Sequence, residues 1–339
     1  MKGVRRRWYA AGRYLCLPIA GMMLSSVPDV CRSQISAQEA TQLRTMLGDR
    51  IEALTILGGD FGLSDGHYKS TATSEFPGGP SSTELSVTKI GGDGDVGDPQ
   101  QLGSLDMGWQ PRFQGNMGYL VSTNYLHGPL LQGDVSKFRD FAIQFGGGAR
   151  FWVNEDFSFA PTLMGMYGRT SNEYTANSAF MRANFPLARQ LGLVNWTVDT
   201  WSIRPSVDFQ YLIRLDRVLV TLSSDPTYFY TESFHDSSSG VKVSGDSGSV
   251  DNKIDIDIPL AKELFGHELR TGGYFSRTDL FGDLENGLDV EHINELHVRL
   301  VADLLNQVWK AQWLGVGVSY LWGPNINGWA VGADVAFQF

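Results

Sequence analysis

The sequence ends on the stretch Trp329-Ala-Val-Gly-Ala-Asp-Val-Ala-Phe-Gln-Phe339, and this stretch decides the fold class. An apolar side chain stands at every second position, with Gly332, Asp334 and Gln338 on the other face. Since successive side chains of a strand point to opposite faces, this period predicts a strand with one apolar face. That face carries Trp329, Val331, Ala333, Val335, Phe337 and Phe339.

The same two-residue period recurs upstream, in segments 141–151, 207–213, 254–258 and 296–304. A soluble sandwich could also alternate in this way, because its strands bury one face and expose the other. Segment length separates the two cases, since the strand predicted at 138–153 far exceeds the roughly 5–6 residues usual in soluble sheets. Membrane strands need about 10 residues for the apolar band and more for their aqueous ends. The pattern therefore predicts an all-β fold, a transmembrane antiparallel up-and-down β-barrel.

Twelve strands are predicted, an even number as bacterial membrane barrels require. Connections after odd-numbered strands are mostly long and those after even-numbered strands mostly tight, as expected for outer loops and periplasmic turns. Segment 93–108 is an exception, a long connection on the periplasmic side, so a count of about ten or fourteen stays open. The predicted strands are 52–62, 83–92, 109–125, 138–153, 157–168, 196–214, 217–230, 252–260, 265–277, 290–304, 309–322 and 326–339.

The N-terminus has the form of a secretory signal peptide, assigned to residues 1–33 with cleavage between positions 26 and 37. A cluster of basic residues comes first, followed after Arg13 by the apolar run Tyr14–Leu24. This run is shorter than the roughly 20 apolar residues of a spanning helix, and Pro18 interrupts it. We therefore expect the segment to be removed on export.

An amphipathic helix is predicted for residues 34–51, directly before the barrel at 52–339. Apolar residues from Ala40 to Leu54 recur there at three- and four-residue spacing. Such a helix could pass through the lumen as a plug, rest at the periplasmic mouth of the barrel, or pack below it.

Composition excludes several classes of function. The chain has 27 basic and 37 acidic residues; residues 1–33 hold six basic groups and one acidic group, which leaves 21 and 36, a net charge of −15. An acidic chain argues against nucleic acid as a partner. The two cysteines, Cys16 and Cys31, provide no disulfide framework. Zinc-ligand spacings, phosphate loops and dinucleotide fingerprints do not occur in the sequence, so neither a metal nor a cofactor is expected.

Charged residues on the polar faces of the predicted strands are the candidate lumen lining. Their signs are mixed, so they could pair with one another and close the lumen, or stay hydrated and line a narrow pore. The candidates are Arg150, Arg204, Asp208, Arg214, Asp255, Asp257, Glu295 and Arg299.

The order of a helix, twelve strands and a terminal Phe339 resembles the translocator domain of autotransporters. The stretches Thr83–Gly92 and Leu314–Gly323 are similar to the solitary autotransporter-like outer-membrane barrels, which carry no passenger. The resemblance implies a bacterial outer-membrane location and a non-enzymatic role as a structural barrel, a narrow pore or a translocator. It also implies two partners: outer-membrane lipid with its lipopolysaccharide, and the barrel insertion machinery. The implied insertion signal comprises Trp329, Val331, Val335, Phe337 and Phe339.

An outer-membrane hydrolase is the alternative. His235-Asp-Ser237 resembles the His-x-Ser pair of outer-membrane phospholipase A, with Asn252 as a third member. The pair opens a stretch rich in Ser and Gly that is typical of a flexible loop, which argues against a positioned nucleophile. We therefore expect no catalytic residue. A protease of the acidic-pair kind would instead draw on Asp279, Asp283, Glu285, Asp289, Glu291 and His292.

Overall fold

The strands of the chain form one antiparallel sheet that closes on itself. The computed structural model describes residues 37–59, 66–72, 81–102, 107–236, 241–264, 266–308 and 311–337. Three features of the sequence lie outside the described residues: the signal peptide at 1–33, Ser237 and Phe339.

The described residues form thirteen strands and three helices. Twelve strands build the wall, and the short β3 pairs with the start of β4. The strands are β1 (Gly66–Ala72), β2 (Ser81–Asp95), β3 (Gln100–Gln101), β4 (Gly108–Leu126), β5 (Val135–Trp152), β6 (Phe157–Thr175), β7 (Thr197–Leu215), β8 (Val218–Asp236), β9 (Ser244–Leu264), β10 (His267–Gly282), β11 (His292–Val308), β12 (Ala311–Trp322) and β13 (Ile326–Phe337). The helices are α1 (Ala37–Gly59), α2 (Ala179–Gln190) and α3 (Asp283–Leu288).

Strand β1 closes the ring. It lies between β13 and β2, with Gly66 opposite Ala330 on one side and Val87 on the other. β2 pairs directly with β4 as far as Asp95. The described part of segment 93–108 contains the end of β2 and the short β3, and it adds no strand to the wall. The predicted twelve-stranded antiparallel barrel is confirmed.

The connections at the two ends of the barrel differ in length. Tight turns join β5 to β6, β7 to β8 and β9 to β10, whereas the connections at the opposite end include those that carry α2 and α3. In outer-membrane barrels the short turns are periplasmic and the longer connections extracellular. Helices α2 and α3 therefore lie at the outer mouth.

The outward side chains form an apolar band. On β5 the outward apolar run extends from Phe141 to Phe151 and on β6 from Phe157 to Tyr167, about 11 residues in each case. Such a run rises about 28 Å at a tilt of about 40°, close to the roughly 25 Å band of membrane barrels. Phe151 and Phe159 stack at the periplasmic rim with ring centroids 5.2 Å apart, as in an aromatic girdle.

Helix α1 is longer than predicted. The sequence placed the helix at 34–51 and the first strand at 52–62, but α1 continues to Gly59, so the barrel does not begin at residue 52. The strand prediction was wrong because apolar residues surround this part of the helix and erase its amphipathic period. Within the residues that the structure describes, no helix combines the length and apolar character needed to cross a bilayer.

The first strand is β1, which the sequence analysis missed. Its sequence, Gly66-His-Tyr-Lys-Ser-Thr-Ala72, has a single large apolar side chain, Tyr68, which is 2% exposed. A strand this short and polar lacks the alternation by which the other strands were recognised.

Candidate functional site: the occupied lumen

Helix α1 occupies the outer half of the barrel lumen. Residues 51–59 are all buried. Trp196 and Phe229, which belong to the same core cluster, are 1% and 0% exposed. This contact is therefore as dry as an ordinary protein core. It is formed by Ile51, Ala53, Leu54, Ile56 and Leu57 of the helix against residues that include Leu120, Phe138, Ala142, Met166, Val198, Leu280 and Leu284.

The helix begins at the outer mouth and ends near the middle of the lumen. Near its start, the guanidinium of Arg44 donates to Leu191 O over 3.0 Å, in the connection that carries α2. At its end, Asn116 Nδ2 of β4 donates to Gly59 O over 2.6 Å. The chain thus runs inward along α1 and returns toward the outer mouth along β1.

Two wall glycines let the helix lie directly against the strands. A Cβ on Gly118 would collide with the carbonyl oxygen of Gly58, and a Cβ on Gly168 would collide with the side chain of Thr55. Glycine allows this close approach because it has no side chain. The wall is therefore shaped for this helix.

Asp140 of β5 binds the helix from the wall. The residue is 0% exposed, and its Oδ1 accepts hydrogen bonds from Thr55 Oγ1 at 3.2 Å and from Thr170 Oγ1 at 2.5 Å. A buried polar group that loses its partner is costly. The Thr55 hydroxyl therefore helps to keep α1 in place beside β5 and β6.

Charged side chains pair with one another in the periplasmic half of the lumen. Arg150 is 3% exposed, and its guanidinium lies 2.9 Å from Asp95 Oδ2 and 3.1 Å from Asp208 Oδ2. Arg112 binds both Asp93 and Asp95. The aspartates of β2 therefore join two arginines of neighbouring strands in one network.

A second set of pairs lies across β9, β10 and β11. Arg270 binds Asp257 at 2.8 Å, and Arg299 binds Asp255 at 2.7 Å. The Arg299 pair crosses β10 at Gly272, where an added Cβ would stand 3.4 Å from Arg299 Nε. The closest atom to this Cβ would be Ile256 O at 2.5 Å, so glycine here avoids a clash with the backbone of β9.

The structure places most of the candidate charges on the inner wall. Arg204 meets Asp225 at 3.4 Å, and Glu295 accepts a hydrogen bond from Tyr274 Oη at 3.0 Å. Arg214 lies elsewhere, at the periplasmic rim, where it binds Asp156 of the β5–β6 turn. The inward residues are Arg150, Arg204, Asp208, Asp255, Asp257, Glu295 and Arg299.

A cavity of about 420 Å³ lies below the end of helix α1. Asn116, which binds Gly59 O, forms part of its lining. The lumen is therefore filled by the helix above and holds a polar space below. Other lining residues include Lys89, Gln114, Arg204, Tyr274 and His297.

We predict that breaking the Arg150 network destabilises the barrel. Arg150→Met leaves the largely buried Asp208 without its guanidinium and Asp95 with Arg112 alone, which should lower the free energy of unfolding by about 3 kcal/mol. Arg214→Met is the matched control: it removes a pair whose side chains are 53% and 47% exposed and should cost less than about 1 kcal/mol. Urea unfolding in lipid vesicles, followed by tryptophan fluorescence, measures both. Equal losses would contradict the prediction.

The phospholipase-like arrangement is not formed by His235 and Asn252. Ser224 Oγ donates to Asn252 across the β8–β9 pair, about 11 residues before His235 on β8, which corresponds to about 36 Å of strand. His235 instead has Nδ1 3.1 Å from Asp199 Oδ2 and is 68% exposed. Asn252 therefore cannot orient this histidine.

The acidic residues of segment 278–292 do not converge on one site. Asp279 binds Arg277 at 2.7 Å, and the backbone oxygen of Asp289 accepts from Asn325 Nδ2 at 2.8 Å. Asp283 faces helix α1 instead. In the described part of the chain, no group of three or more His, Cys, Asp and Glu side chains is arranged to hold a metal ion.

Known proteins resemble this chain at the level of the barrel. A family model described as the solitary outer membrane autotransporter beta-barrel domain matches residues 100–332. The beta domain of the Bordetella autotransporter BrkA has a TM-score of 0.50 at 13% identity, over 81% of this chain and 97% of that one. The transport unit of the Escherichia coli autotransporter AIDA-I has a TM-score of 0.51 at 9% identity, over 88% and 98%. At these identities the likeness concerns the fold alone. Among curated proteins, none matches the sequence.

Proposed function

Because this chain belongs to the family of solitary outer membrane autotransporter β-barrel domains, we propose that it is a self-plugged barrel of the translocator type. Helix α1, called the plug from here on, closes the lumen from within. The segment before the plug is presented at the extracellular face of the outer membrane. In this proposal the barrel works without catalysis.

The direction of the plug carries the proposal. Arg44, near its start, binds Leu191 O at the outer mouth, and Gly59, at its end, binds Asn116 in mid-lumen. A helix of 23 residues is about 34 Å long at 1.5 Å per residue. Arg44 lies at the outer mouth, which supports the proposal that the start of the plug faces the extracellular side.

The absence of catalysis and the two partners belong to the same proposal. Asn252 lies far along the strand pair from His235, which supports a non-enzymatic barrel over a phospholipase-like one. The outward apolar band fits outer-membrane lipid and lipopolysaccharide. Trp329 and Val331 are 54% and 52% exposed, so the last strand presents apolar side chains that the insertion machinery could recognise.

We predict that a thiol near the start of the plug reacts from outside the cell. Thr45→Cys places it on an exposed turn of the helix, in a chain with Cys31→Ser so that the second cysteine does not react. A membrane-impermeant maleimide should label this residue on intact cells.

Two further cysteines serve as controls for that experiment. Gln132→Cys, in the β4–β5 connection, should be labelled on intact cells, and Arg217→Cys, in the β7–β8 turn, only after the outer membrane is permeabilised. Both residues are exposed. Labelling of Thr45→Cys that requires permeabilisation would refute the proposed direction of the plug.

A further inference from the structure

The plug meets the outer connection of α3 through two carboxyl groups. Glu52 is 1% exposed, and its Oε1 accepts a hydrogen bond from Ser247 Oγ at 2.6 Å. Asp283 Oδ2, at the start of α3, accepts from the Asp246 backbone N–H at 3.2 Å. A Cβ on Gly245 would collide with both Glu52 Oε2 and Asp283 Oδ2. The two carboxyl groups therefore converge on the same small space.

The charged groups that act on Glu52 are all acidic. They are Asp283 of α3, Asp49 one turn earlier on the plug, and Asp246 of β9. From β8, Tyr228 donates a hydrogen bond to Asp246. Two carboxyl groups in contact cannot both ionise cheaply, so one of them keeps its proton.

The two arginines of the plug bind elsewhere. Arg50 Nη2 donates to Asn124 Oδ1 at 2.8 Å, and its guanidinium lies 5.2 Å from the ring centroid of Phe138. Arg44 binds Leu191 O. These contacts involve no acidic group, whereas the contact between Glu52 and Asp283 depends on a proton.

Glu52 lies level with Gly245, near the outer end of β9 and well before the first lipid-facing isoleucine of that strand, Ile254. Burial raises the pKa of Glu52 to about 8, and Asp283 and Asp49 add to the rise. Burial also raises the pKa of Asp283. A freely hydrated glutamic acid releases its proton near 4.5. Protonated Glu52 therefore contributes fully to holding the plug below about pH 4.5. This contribution is lost as the pH rises through about 8.

We propose that Glu52 and Asp283 form a proton-dependent latch that holds the plug in the lumen. With one proton between them, the two carboxyl groups attract and join the plug to α3. When the proton leaves, two like charges in contact push the plug away from the outer connection, and the barrel begins to conduct. The latch rests on the proposed function, since it requires α1 to be the plug.

The test is single-channel recording of the refolded full-length barrel in planar bilayers at about pH 6 and about pH 9. The open probability of the unmodified barrel should rise at least about tenfold between the two. Glu52→Gln keeps an acceptor for Ser247 but cannot ionise, so this variant should stay closed at both values. Asp283→Asn should likewise abolish the rise. Glu263→Gln, an exposed residue at the periplasmic end of β9, should behave like the unmodified barrel.

Deletion of residues 37–59, recorded beside these variants, separates the two proposals. If the deletion conducts at both pH values but the unmodified barrel does not respond to pH, the latch is wrong and the plug stands. A Glu52→Gln barrel that opens with pH as the unmodified one does also refutes the latch. If the deletion is silent as well, the plug itself is wrong, and the latch with it. Heat-modifiable electrophoretic mobility confirms that each variant is folded.

Discussion

A barrel without residues 37–59 will conduct ions steadily under conditions in which the full-length barrel is silent. The deletion removes a helix about 10 Å in diameter from the half of the lumen that it fills. The periplasmic half already contains a cavity of about 420 Å³, so the two halves become one continuous path. Single-channel conductance in planar bilayers measures the effect.

A deletion of α2 is the matched control for this experiment. Residues 179–190 also form a helix, but it lies in the β6–β7 connection and packs around Met181, Ala188 and Val194. Its removal can disturb the contact of Arg44 with Leu191 O but leaves the buried residues 51–59 in place, so the barrel should stay silent. Silence after removal of residues 37–59 would mean that the helix is not the plug and that the ion pairs of the periplasmic half close the lumen by themselves. Steady conductance of the full-length barrel at acidic pH would contradict the proposal that the plug closes the lumen.

Gly118→Leu will also open the barrel, by displacing the plug rather than removing it. A Cβ at this position collides with the carbonyl oxygen of Gly58, which is backbone and cannot rotate away. The end of the plug must then leave the wall of β4 and lose part of its buried contact, at a cost of about 2–3 kcal/mol. Conductance, together with faster proteolysis of the plug in the folded barrel, measures the displacement.

Gly92→Leu is the control for that substitution. Gly92 lies on β2 beside the cavity, and an added Cβ there meets nothing within 4 Å. The same change of residue type should therefore leave the plug in place. If both variants conduct alike, the effect comes from leucine in a strand and not from contact with the plug.

The sequence predicted the strands well where one face contacts lipid and the other faces the lumen, because the two faces then differ in polarity. The predicted strand at 157–168 lies within β6, which continues to Thr175. Above Tyr167 the outward face carries Arg169 and Glu173, so both faces are polar and the alternation ends before the strand does. Strand ends that extend beyond the membrane therefore cannot be recognised from the alternation of apolar and polar residues.

The site was predictable only in part, for a related reason. The two-residue period indicated which charges face inward, and Arg150, Asp257 and Arg299 do so. Their partners could not be predicted, because pairing depends on which strands are neighbours and in what register. Glu52 was assigned to a strand, and its contact with Asp283 joins two segments that lie far apart in the sequence. A contact of that kind exists only once the barrel has closed.

The closure of the ring by β1 has a consequence for the order of folding. In the described residues, β1 meets β13 through five residue pairs, from Gly66–Ala330 to Ser70–Ile326. Contacts between residues so distant along the chain form slowly, since the loop entropy must be overcome first. We expect this seam to be the last to form and the first to fray. The helix precedes β1 in the chain, so we expect it to lie in the lumen when this seam forms. In this order of folding, the barrel wall is completed around a helix that already lies in the lumen.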